Sequence, residues 1–276
     1  MIMPMSSAPS DQFLDGFLSE AVRNLRTEAH AASPDLVTML YSFNRLAVQL
    51  MHEVQVHPEK SEEVVGAVLY ARTVQSTQAA VLLLEHGLPS QAQTVLRSAL
   101  ETLFPLAAMA KDPRVATELI ASHNADRRTL ADRIKQWKHP DLRAAVPLTD
   151  AELDAIVKSP ARATNIFATA KLAGMEDWYH TLYTIMSFAA HSKMSDLDKH
   201  AVADADGALQ GLQSEPIVEG QGKVWLWVVE VQLAAMRSTA QLFDLKEWEV
   251  LANSRWQLLH AMAKKGDLFS PPPRAT

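Results

Sequence analysis

Apolar residues recur three and four apart through nearly all of this 276-residue chain, the spacing that lines one stripe of an α-helix. The periodicity predicts helices over 11–30, 34–55, 61–86, 88–110, 113–137, 149–158, 162–173, 175–191, 223–243 and 245–265. Punctuation agrees with several of these ends: Ser33-Pro34, Gly87 followed by Pro89, Asp112-Pro113, His139-Pro140, and Thr149 spaced from Glu152 as in a capping box. The stretch 192–222 lacks the pattern and reads as a long irregular loop, with room for a short hairpin around Ala205 to Leu212. The expected fold class is therefore all-α, a single multi-helix bundle over 11–266. A frayed tail at 1–10 precedes it and an extended, proline-rich tail at 267–276 follows.

Composition narrows the function classes. With 48% hydrophobic and 21% charged residues the chain can bury a substantial core. A net charge of -6 leaves no general basic field, so RNA could be held only on a local basic patch. Zero cysteines exclude disulfides, thiol nucleophiles and cysteine-type zinc sites, which suits a cytoplasmic setting. None of the nine glycines falls in a GxGxxG or GxxxxGK[ST] pattern, and no cofactor is called for. The most apolar segment, 224–243, is interrupted by Glu230, Gln232 and Arg237, which marks a buried helix rather than a membrane span.

The segment 88–110 carries a wide apolar arc, from Ala92, Val95 and Leu96 to Leu103, Phe104 and Ala107. Opposite lie Ser90, Thr94, Ser98 and Thr102, with Arg97 and Glu101 at the border. Small hydroxyl residues, where a free face would carry Lys and Glu, predict that other helices cover both sides. The preceding helix repeats this, since Thr73 to Ala80 has Gln, Ser and Thr but no charge. On that reading Arg97 and Glu101 form a partly desolvated polar centre, and an unpaired buried charge would cost about 3–5 kcal/mol. The competing reading is a plain surface pair one turn apart, worth a few tenths of a kcal/mol. Pro105 cannot donate to the carbonyl of Glu101, which predicts a kink beside the pair.

A second polar stripe runs along 175–191: Glu176, His180, Thr184, Ser187 and His191 at steps of four, three and four, with Tyr183 beside them. Trp178, Leu182, Ile185, Met186 and Ala189 lie on the other side. Such a stripe either faces solvent or lines a cavity.

The runs LLLEHGLPSQAQTVLRSALETLFPLAAMAKDP and, much later, YTIMSFAAHS resemble the bacterial domain-of-unknown-function family 5677 over roughly residues 60–240. Its members carry Arg-Ser-x-x-Glu in one helix and Ser-x-x-x-His in a later one, matched here by Arg97, Ser98 and Glu101, then Ser187 and His191. The resemblance implies an all-helical fold in which these two helices face each other. It implies no established reaction.

The function that asks least of these residues is a binding or interaction module. Arg97 would receive a small anionic ligand or partner bidentately, with Ser98, Tyr183, Ser187 and His191 completing the site and Glu101 orienting the arginine. The alternative is a metal-independent ribonuclease like the HEPN toxin and defence proteins, with Arg97, Glu101 and His191 as catalytic candidates. Arg and His at the spacing of that group also occur at Arg133 to His139, in the most basic segment, but short matches of this kind arise by chance. Asp196, Asp198, His200, Asp204 and Asp206 fit no EF-hand or HExxH spacing, so no metal is expected. Trp225, Trp227, Trp248 and Trp256 could serve a core or a homodimer interface.

Overall fold

A computed structural model of the chain describes residues 15–159, 164–213 and 215–265. The expected tails at 1–10 and 267–276 lie outside those residues. The longer helices are α1 (Leu25–Ala32), α2 (Pro34–Glu53), α3 (Ser61–Glu85), α4 (Pro89–Met109) and α5 (Arg114–Lys135). Then come α6 (Pro140–Ala144), α7 (Asp150–Lys158), α8 (Ile166–Ala173) and a run formed by α9 (Glu176–Trp178), a π-helical turn (Tyr179–Tyr183) and α10 (Thr184–Ala190). The short α11 (Met194–Leu197), a two-stranded hairpin, α12 (Gly222–Leu242) and α13 (Lys246–Lys265) complete the chain, which is all-α apart from that hairpin.

Local chemistry explains most of the ends. Proline fills the first turn of α2, α4 and α6, where its missing N–H costs nothing. The Thr149 hydroxyl accepts from Glu152 N while the Glu152 carboxylate accepts from Thr149 N at 2.7 Å, so the capping box expected at α7 forms. Asn165 caps α8 by accepting from the backbone of Phe167 and Ala168. The first expected helix, 11–30, is described only from residue 15, and there it is not continuous. Two 3-10 turns, Gly16–Leu18 and Glu20–Asn24, come before α1, because Ser19 between them is extended (ψ 145°) and breaks the helical run.

α3 and α4 form an antiparallel hairpin at the centre. Thr73, Ser76 and Thr77 of α3 and Ser90 and Gln93 of α4 are all buried, and the Thr73 and Thr102 hydroxyls bond across the pair at 2.7 Å. Small polar residues here let the backbones approach, as expected. α12 packs on α2, α3, α4 and α13, while α8 and α10 lie against α4. α4 runs unbroken through Pro105, which is buried, so the expected kink does not interrupt the helix. The core includes Trp225 at 1% and Trp248 at 9% exposure, with Trp227 and Trp256 packed against it. All four tryptophans thus contribute to packing within the chain, Trp227 and Trp256 from partly buried positions. A satellite cluster of Ala131, Ile134 and Leu153 joins α5 to α7.

The stretch 192–222 is more ordered than a loop. After α11 it forms β1 (Ala201–Ala203) paired antiparallel with β2 (Leu209–Leu212), turning through Gly207. It then docks on the α3–α4 turn, where Ile217 N donates to the Gly87 carbonyl at 3.0 Å. Gly87 sits at φ +71°, and a Cβ there would lie 2.5 Å from Cβ of Pro216. The turn therefore needs glycine both for its conformation and for the docked segment.

No described helix is long and apolar enough to cross a membrane. The interruption at Glu230 has a cost, because burial pushes this carboxyl up from its usual 4.5 to about 7, and no described residue pairs with it. A carboxyl raised on folding gives no penalty below pH 4.5; as pH rises from 4.5 to 7 the unfolded chain ionises first, so stability is lost across that window. Glu230→Gln should remove that loss. We expect the variant to match the wild type at pH 4 and to exceed it at pH 8 by up to roughly 3 kcal/mol in urea unfolding, at about 1.4 kcal/mol per pH unit.

Candidate functional site

α4 and the α9–α10 run lie antiparallel, and the register brings their polar residues together. Arg97 donates from Nε to the Ser187 hydroxyl at 3.0 Å and from Nη2 to the Tyr183 hydroxyl at 2.8 Å. The same Nη2 lies 3.2 Å from Glu101 Oε1, and the Tyr183 hydroxyl donates to that oxygen at 2.9 Å. Ser187 in turn donates to the Tyr183 carbonyl at 2.7 Å. The guanidinium also lies over the Tyr183 ring, 4.8 Å from its centroid. One tyrosine thus accepts from the cation, donates to the carboxylate and supplies a π face.

The π-turn makes this possible. An extra residue in the turn shifts the register of everything after it, so a stripe drawn through the sequence at regular helical steps splits in two. Glu176 and His180 stay on the solvent side, 4.0 Å apart, while Tyr183 and Ser187 turn toward Arg97. Ile185, expected on the apolar side, is 41% exposed. Tyr183 itself is buried and stacks on Tyr179 with ring centroids 5.1 Å apart. Burial, reinforced by the bond to Glu101, pushes its hydroxyl up to about 12, so it stays protonated and keeps donating.

The charged pair is not a fully buried centre. Side-chain exposure is 22% for Arg97 and 38% for Glu101, because α10 covers only one side of the guanidinium. Arg97 Nη1 donates to no described residue and is not sealed from solvent. Ser98 and Thr102 are half-buried and Thr94 is exposed. His191 ends α10, its backbone N–H bonded to the Ser187 carbonyl, and its ring is exposed and engages no described residue. With Ser187 opposite Arg97 and Asp196 opposite Ser90, the register puts His191 near the level of Thr94. Ser98 and His191 therefore flank the network without joining it. The acidic loop is used structurally: Asp196 is buried and accepts from Ser90 and Lys199, and Asp204 accepts from the backbone of Asp206 and Ala208.

A family model matches residues 63–208, more than half of the chain. The chain belongs to DUF5677, a family of unknown function. The match covers the two quoted runs, and therefore all the residues of the Arg97 network, but stops short of α12, which the resemblance had included. No curated protein and no solved structure matches this DUF5677 chain significantly.

A second polar cluster escaped the sequence reading, and three of its four members lie before the DUF5677 match. Glu85, the last residue of α3 and 3% exposed at its side chain, accepts on Oε1 from His30 Nε2 at 2.7 Å and from the Tyr41 hydroxyl, with Arg26 Nε 3.2 Å away. Arg26 also donates to the Tyr41 hydroxyl at 3.0 Å. Burial and then the bond to Glu85 raise the Tyr41 hydroxyl above its ordinary range. A signal did exist: an acid in an apolar run at a helix C-terminus opposes the helix dipole and requires a cation from elsewhere. Which cation was not legible, since α1 is over fifty residues away in the chain.

Two outcomes follow. Tyr183→Phe keeps the ring and removes the hydroxyl shared by Arg97 and Glu101, and should cost about 1 kcal/mol, lowering the melting temperature by roughly 2–4 °C. Glu85→Ala leaves the half-buried Tyr41 hydroxyl, the His30 ring and the Arg26 guanidinium without their shared acceptor and should cost about 3 kcal/mol in urea unfolding. A loss below 0.5 kcal/mol in the second case would mean that water replaces the carboxylate, as at an ordinary surface site.

Proposed function

We propose that this DUF5677 protein is a cytoplasmic binding module whose α4–α10 face takes the anionic group of a small ligand or partner on Arg97. The observation that carries the reading is the state of the guanidinium. Nε and Nη2 are held by Ser187, Tyr183 and Glu101, while Nη1 donates to no described residue and is not sealed from solvent. An arginine fixed from behind loses little side-chain freedom when it binds, and a charge-assisted bond from a preorganised donor is worth more than one from a mobile side chain. Glu101 offsets part of the positive charge, so the face favours a ligand that brings hydrogen-bonding groups besides its charge. Ser98 and His191 flank the opening and supply such partners.

Thermal unfolding with a panel of small phosphates and carboxylates tests this. At a hundredfold excess over Kd a true ligand adds about 2.7 kcal/mol, a shift of several degrees. The shift should vanish in Arg97→Ala and persist, reduced, in His191→Ala. A panel that leaves the wild type unmoved, or moves Arg97→Ala equally, removes the reading. RNA incubated in EDTA separates the other class: wild-type cleavage abolished by both Arg97→Ala and His191→Ala would replace binding with metal-independent RNA hydrolysis.

A further inference from the structure

Away from the Arg97 face, a cavity of about 170 Å³ lies where α4, α8, α9, α12 and α13 meet. Its charged lining is cationic, Lys111 just beyond α4 and Arg237 on α12, and neither forms an ion pair among the described residues. The Lys111 ammonium occupies the space a Cβ on Gly174 would take, 2.6 Å from that position. Gly174 closes α8 in the left-handed conformation at φ +71°. The carbonyl end of α8 thus accounts for the place of one cation. Nothing comparable accounts for Arg237.

The interior carries a second, independent feature. Ser238 is only 6% exposed, yet its hydroxyl has no partner among the described residues. The neighbouring Thr239 hydroxyl is sealed off from solvent, whereas the Ser238 hydroxyl stays accessible on the wall of the cavity that it lines, free to bond to what occupies it. One wall is formed by Trp178 and Trp256, whose rings stack 5.8 Å apart at 21°. A carboxylate is present one step away: Glu249, which accepts from the lining residue Gln241 at 3.0 Å and lies 3.8 Å from Lys246, is already engaged.

We infer that this cavity is a binding site for a small phosphate-bearing anion, with Lys111 and Arg237 supplying charge, the Ser238 hydroxyl an unengaged donor on its wall and the paired indoles a surface for the organic part. Phosphate fits this donor set better than carboxylate, because three separated donors can each meet a different oxygen of one tetrahedral group while the arginine fork takes two. The volume lies below the roughly 300 Å³ at which sites for drug-sized ligands begin, so the ligand is small. α12 lies outside the residues that define the family match, so this site combines family and non-family parts of the chain.

Calorimetric titration of the full chain with inorganic phosphate, at ionic strength held constant with chloride, tests the inference. Saturable one-to-one binding is expected. Lys111→Gln and Arg237→Gln should each weaken it about tenfold or more, as expected when one charge-assisted bond is lost. Both residues are exposed, so these variants should fold as the wild type does, which their melting curves will check. Ser238→Ala should weaken phosphate a few-fold, and Arg97→Ala should leave it unchanged, which separates this site from the α4–α10 face. Absent saturation, binding indifferent to both glutamine variants, loss only in Arg97→Ala, or acetate binding as tightly as phosphate would each overturn it.

Discussion

The close contact between α3 and α4 is the constraint on which the rest depends. Small buried hydroxyl residues, Thr73, Ser76 and Thr77 of α3 and Ser90 of α4, line these helices, and the Thr73 hydroxyl bonds Thr102 across the pair while Thr77 bonds the Val74 carbonyl and Ser90 bonds Asp196. A hydroxyl buried without a partner costs about 1–3 kcal/mol, so this approach is stable only in a register that satisfies them. That register then fixes where α4 presents Arg97 and Glu101, and where α3 delivers Glu85. α12 closes the remaining side, with the Gln232 amide and the Gln78 amide both donating to Asn44. Polar specification inside an otherwise apolar bundle thus selects one packing out of the many that periodicity alone allows.

Much of this was legible from spacing. Nine of the ten expected helices appear within a few residues of their expected ends, and the buried polar face of Thr73 to Ala80 could be read from its lack of charge. The meeting of Arg97 with Tyr183 and Ser187 was implied by the family resemblance rather than by periodicity. The same reasoning overreached on the far face of α4. Small hydroxyls there argued for complete cover, yet Thr94 is exposed and Arg97 keeps 22% of its side chain exposed, because the run that covers α4 ends at Ala190. The length of a covering helix is not written in the sequence of the helix it covers.

What stayed illegible has a common cause. The π-turn at Tyr179–Tyr183 leaves no compositional mark, and it shifts the register by which the polar stripe was drawn. The Glu85 cluster and the Lys111 cavity both assemble residues from segments far apart in the chain. Sequence can show that an acid in an apolar run needs a partner, or that a cation near Gly174 suits a helix end. It cannot show which distant side chain arrives, because that follows from crossing angles set by the whole core.

Comparison of the two arginines shows what their surroundings select. Arg97 shares its charge with Glu101 and commits two of its five donors to Ser187 and Tyr183, so its remaining edge is directional and partly neutralised. Arg237 and Lys111 have no such partner among the described residues and stand beside a cavity with an accessible hydroxyl and an aromatic wall. Two unneutralised cations at one cavity favour a ligand by its charge. A half-neutralised arginine at an open edge discriminates by shape and hydrogen bonding. On the two proposals, one chain holds two sites of opposite selectivity, and a carboxylate beside one arginine but not the other is what separates them.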